Sequence, residues 1–133
     1  MNDAYPDLEI YIKRVETLAI INWLSTCFEK VGKSLSETSK AKLSTSCLFS
    51  SASDEDNSQV SCVIMEKAAK GGFVSVWFKT NETPWRTDRE LAVAAFDFFK
   101  EEVRCSTGPW EGNDEGGWIR FTNDGEQIVN WLT

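Results

Sequence analysis

Two stretches dominate what this chain can fold into: QVSCVIMEK at 59–67 and GFVSVWFKT at 72–80, joined by a short loop that contains glycine. Each alternates between two sets of side chains with the period of two that a pleated strand imposes. Two such runs joined by so short a glycine-bearing link form an antiparallel hairpin. In the second run Val74, Val76 and Phe78 fall on one side, and Phe73, Ser75, Trp77 and Lys79 on the other. The first set is the natural floor for packed helices, so Trp77 is expected to point to the opposite face.

The remaining elements arrange themselves around this hairpin. LEIYIK at 8–13 places Leu8, Ile10 and Ile12 on one face and reads as a half-buried strand. TLAIINWLSTCFEKVG carries Ile20, Ile21, Leu24, Cys27, Phe28 and Val31 at helical spacing, with Gly32 as its stop. KSLSETSK at 33–40 reads as a polar loop, AKLSTSCLFSS as a strand over about 41–50, and ASDEDNS as a turn. Thr87 and Glu90 form a capping box with Asp88 in the first turn, which starts a second helix that is expected to run through Val103. STGPWEGNDEGG is a turn-rich loop, WIRFT a short strand, and EQIVNWL a terminal helix or strand. The order β-α-β-β-β-α-β predicts one α+β domain over 1–133, with a mainly antiparallel sheet of about five strands and two helices on one face.

Composition narrows the classes of function. A chain of 133 residues that is 41% hydrophobic can bury a core of its own. Its net charge of −7 repels phosphate backbones and anionic lipid surfaces, so neither nucleic acid nor membrane is expected as a partner. The longest apolar run, LAIINWL, is far short of a membrane span. The start MNDAYPDLEIYIK lacks a basic region followed by an apolar run, and the cysteines at 27, 47, 62 and 105 lack close pairing. A cytoplasmic protein with free thiols and no metal or cofactor is the expectation.

The sequence argues against an enzyme. It contains no histidine, which removes the commonest proton shuttle, and it has no glycine-rich phosphate cradle or EF-hand loop. Asp88 and Glu90 are explained by capping, and Glu111, Asp114 and Glu115 by solvation in a loop. NDEGG at 113–117 is a faint calcium-like cluster without the regular ligand spacing. Among the thiols, Cys105 is the one Arg104 beside it could activate, although a buried structural cysteine is the better reading.

Six tryptophans are the unusual feature. Trp23 and Trp131 belong with core residues. If the strands align, the face away from the helices collects Tyr11, Lys13, Phe73, Trp77, Lys79, Trp118 and Arg120. Rings in that number exceed an ordinary exposed patch, so something is expected to cover them. Two Pro-Trp loops supply candidates: Trp85 followed by Arg86, and Trp110. Each ring is either a structural plug or the rim of a binding site, and Arg86, Arg89 and Arg104 are candidate anion contacts. Trp85 also lies near the position from which a residue staples the start of a helix, with Leu91 one turn in.

Three functions compete on this reading. The first is a non-enzymatic binding protein, an acidic inhibitor of immunity type or a regulator, that meets a basic protein partner through the aromatic face and the Trp loops. The second is a ligand-binding domain, or an enzyme using a carboxylate or Cys105, with Trp77, Trp85, Trp110 and Trp118 as pocket walls and Arg86 or Arg120 on an anionic group. The third is a homodimer that hides the same face from solvent.

Overall fold

The computed structural model describes residues 5–51, 59–106 and 117–129. In chain order the elements are β1 (Leu8–Lys13), α1 (Thr17–Glu29), β2 (Lys33–Lys40), β3 (Ser44–Ser51), β4 (Gln59–Ala69), β5 (Phe73–Phe78), α2 (Asp88–Phe99), β6 (Val103–Ser106), β7 (Trp118–Thr122) and β8 (Gly125–Val129). The strands form one sheet in the order β2-β3-β4-β5-β1-β6-β7-β8, with every neighbouring pair antiparallel. The fold is α+β, and both helices pack on one face of the sheet.

Alternation sets that face. Leu8, Ile10 and Ile12 are fully buried and stand opposite Phe78, Val76 and Val74 of β5. Each fully buried side chain of this size stabilises the fold by about 1.5–3 kcal/mol relative to exposure. α1 lies beneath β2 and β3 with Ile20, Ile21, Trp23, Leu24 and Phe28 inward. α2 lies beneath β1, β6 and β7 with Leu91, Ala92 and Ala95 inward. The hairpin expected from the sequence is β4–β5, and Gly71 and Gly72 hold φ of +100° and +83° at its turn. Those angles suit glycine and strain other residues.

The sheet is larger than five strands for three separate reasons. KSLSETSK, expected as a loop, is β2. Among the described strands it is an edge that pairs with β3 alone, so nearly all its side chains face water and carry no alternation to read. The second helix stops at Phe99 instead of Val103 because Lys100 turns left-handed (φ 60°) and its N–H caps the Phe96 carbonyl. Val103 and Cys105 then alternate inward as β6. The terminal segment resolves as a strand, β8, paired with β7. α1 ends at Glu29, which leaves Val31 half exposed beyond the helix instead of on its stripe. The segments 52–58 and 107–116, with Trp110, Glu111, Asp114 and Glu115, lie outside the described residues, as do Trp131 and most of NDEGG.

Candidate functional site

The face opposite the helices is assembled by register. Val63, Trp77 and Glu9 lie side by side across β4, β5 and β1. The next row is Met65, Ser75, Tyr11, Arg104, Arg120 and Gln127, running from β4 to β8. Phe73 stands beside Lys13, and Ser106 beside Trp118 and Val129. The strand alignment supposed from the sequence therefore places Tyr11, Lys13, Phe73, Trp77, Trp118 and Arg120 on one surface. Lys79 extends the same side just past β5, with its ammonium 5.7 Å from the Trp77 ring centroid.

Charges knit the centre of this surface. The Glu102 carboxylate lies 2.8 Å from Arg104 Nε, 3.2 Å from Arg120 Nε and 3.9 Å from Lys13 Nζ. The Arg104 bond is well formed, whereas Arg120 Nε is buried and misaligned for a hydrogen bond with the same carboxylate. The Arg104 guanidinium and Lys13 ammonium also sit 5.2 and 5.7 Å from the Phe73 centroid, and Phe73 is only 3% exposed. Such cation–ring contacts add attraction while the cations stay near water. Tyr11 meets Trp118 edge to face at 5.7 Å, and Trp77 Nε1 donates to Asp7 Oδ2 at 3.1 Å. Tyr11, Trp77 and Trp118 remain half-buried. Burial, with the adjacent Glu9 carboxylate, pushes the Tyr11 phenol up.

Trp85 belongs elsewhere. Its ring stacks on Trp23 at 5.8 Å and meets Phe28 and Phe78 at 6.0 and 6.3 Å, all on the helix side of the sheet. The rings it touches come from α1 and β5, so it wedges those elements together. Its connector is held by Thr83 Oγ1, which donates to the Trp85 carbonyl, and by Asn81, which accepts from the Thr83 N–H and donates to the Tyr5 carbonyl. Trp77, Trp85 and Trp118 therefore line no shared pocket, since the sheet lies between Trp85 and the other two. Arg86 is exposed, and its backbone N–H donates to Glu90 Oε1. This is the return half of the capping box, reaching one residue further than the Thr87 N–H that sequence spacing indicates; Thr87 Oγ1 accepts from the Glu90 N–H as expected.

Two further sets of candidates are accounted for. Cys105 is buried, and burial, followed by the Asp88 charge, pushes its thiol up to about 12. Arg104 cannot activate it, because neighbouring residues of a strand point to opposite faces. Arg89 and Arg104, considered as anion contacts, are engaged by Glu126 and Glu102. A residue that sequence reasoning assigned only to capping has a second task. Asp88 is buried and accepts from the Glu9 N–H at 3.0 Å and the Ser106 hydroxyl at 3.1 Å, filling the gap where β1 and β6 diverge. Burial raises its pKa, and those two hydrogen bonds partly offset the rise.

Among the described residues, no cluster of metal-ligating side chains occurs, and no helix is long and apolar enough to cross a membrane. Compared with family models, with curated proteins and with solved structures, the chain finds no match in any of the three.

Proposed function

We propose that this chain is a binding protein that meets a protein partner through the face of the sheet left bare by the helices. The observation that carries this reading is the alignment of Tyr11, Trp77 and Trp118 as half-buried rings on a surface against which no described helix packs. Aromatic residues and arginine are the types that anchor protein interfaces, and a network already closed around Glu102 leaves little unpaired charge to desolvate on docking. The net charge of −7 would speed encounter with a basic partner, while the rings would supply the affinity. An inhibitor or regulator fits this arrangement, and Trp85 takes no part in it.

Immobilised protein should retain a partner that the Trp77→Ala/Trp118→Ala double variant loses, with an association rate that falls as salt rises. Retention by the double variant equal to wild type would refute the proposal. A second copy of the chain is the competing occupant, and a dimeric mass that turns monomeric in the same variant would assign the face to self-association.

A further inference from the structure

A cleft of about 620 Å³ opens at the end of the sheet where β1 gives way to α1. Val15, Val74 and Leu18 supply its apolar wall, and Arg14, Glu16, Thr17, Glu66 and Lys67 its polar groups. The volume falls within the range of about 300–1,000 Å³ typical of small-molecule sites. It lies on the helix side of the sheet, away from the aromatic face, so it stands independently of the function proposed above.

Its two cations are held in an uncommon way. Among the described residues three that are not glycine have positive φ: Arg14 (62°), Lys67 (54°) and Lys100 (60°). Lys100 is explained as the cap of α2, whereas Arg14 and Lys67 both line the cleft. Arg14 leaves β1 with its N–H bonded to the Gly72 carbonyl, and Lys67 sits in the bulge of β4 between Met65 and Ala69. Bulges re-aim side chains, and left-handed backbone at residues other than glycine costs about 1 kcal/mol or more. Glycine would relieve that cost at both positions, but only at the loss of the charged side chain. Neither side chain has an ion-pair or hydrogen-bond partner among the described residues.

The opposing charges are accounted for. The Glu66 carboxylate accepts from Thr17 Oγ1 at 3.0 Å and pairs with Lys40 at 3.7 Å. Glu16 makes no side-chain cap to α1 and is exposed. Lys40, outside the lining, offsets Glu66, so Arg14 and Lys67 face one uncompensated carboxylate, Glu16, in a protein whose total charge is −7. We infer that the cleft binds a small molecule carrying a phosphoryl group and a short apolar body, with Arg14 and Lys67 on the phosphoryl oxygens and Val15, Leu18 and Val74 against the body. Arginine supplies the forked contact that a phosphoryl group matches, and lysine the second charge that a dianion needs.

The test is a titration of the full chain with phenyl phosphate, inorganic phosphate and benzoate, followed by backbone amide NMR. Phenyl phosphate should shift the amides of 14–18 and 66–72 and bind more tightly than inorganic phosphate, which lacks the apolar body, and than benzoate, a monoanion. Arg14→Gly and Lys67→Gly should each weaken phenyl phosphate by at least about tenfold while leaving the melting temperature equal or higher. Shifts spread over the surface lysines, or an unchanged affinity in both variants, would overturn the site. A lower melting temperature in both glycine variants would overturn the strain on which it rests.

Discussion

Trp85 and Trp77 are only eight residues apart in sequence, yet they do opposite work because the sheet separates them. Trp85, partly buried, packs into a cluster of rings from α1 and β5, with Trp23, Phe28 and Phe78 around it. Trp77 lies beside Asp7 and Lys79, hydrogen bonded to Asp7 through its indole N–H. The same side chain serves as filler on one face and as a half-covered surface group on the other. What differs is the company: aromatic and aliphatic neighbours exclude water, whereas neighbouring charges hold it close.

The largest test of that contrast is truncation on each face. Trp85→Ala should cost about 3 kcal/mol, in the range for emptying a packed aromatic site, whereas Trp77→Ala should cost about 1 kcal/mol or less. Urea denaturation of the two variants measures both, and equal losses would abolish the distinction. Next is Glu102→Gln, which leaves Arg104, Arg120 and Lys13 around a neutral amide. A loss of about 2 kcal/mol is expected, because removing one partner from a partly buried ion network strands the others. A change within about 0.5 kcal/mol would mean that water already screens the network.

Thr87→Ala probes the helix layer alone. It removes the acceptor for the Glu90 N–H and should cost about 1 kcal/mol without changing the outer face. The smallest effect concerns Asp88, which ties α2 of the inner layer to Ser106 on the outer surface. Its folded pKa lies above the ordinary 3.8, so the folded state holds the proton more tightly than the unfolded chain does. Stability from this group is therefore present at low pH and is lost as pH rises through the raised value. Asp88→Asn cannot titrate, and wild type should lose stability relative to it as pH rises above the ordinary 3.8. Thermal melts across that range check the sign, and a wild-type advantage that grows with pH would show that the fold stabilises the carboxylate.

Legibility in the sequence followed burial. LEIYIK and QVSCVIMEK bury one face and GFVSVWFKT buries nearly all of both, and in each the alternation revealed a strand, with the direction of Trp77 in the last. β2 is exposed along nearly its whole length, and polar residues on both faces look the same in a loop and in an edge strand. β6 was hidden because Val103 continues the helical spacing of Leu91, Ala92 and Ala95; only the left-handed turn at Lys100 separates the two elements. Of the candidate site, Tyr11, Lys13, Phe73, Trp77, Trp118 and Arg120 were legible once the strands were aligned. Glu102, which organises their charges, was not, since it precedes a strand that the sequence did not reveal. Trp85 suggested a staple at the start of α2, but its ring partners lie on α1 and β5, and long-range contacts of that kind leave no local pattern.

The most direct measurement of the two-face account is the solution mass taken together with the indole N–H resonances of Trp23, Trp77, Trp85 and Trp118 in the presence of a soluble paramagnetic agent. A monomer in which Trp77 and Trp118 broaden while Trp23 and Trp85 stay sharp is the predicted result. A dimer, or a monomer in which all four are equally protected, would contradict the proposal that a partner meets the outer face.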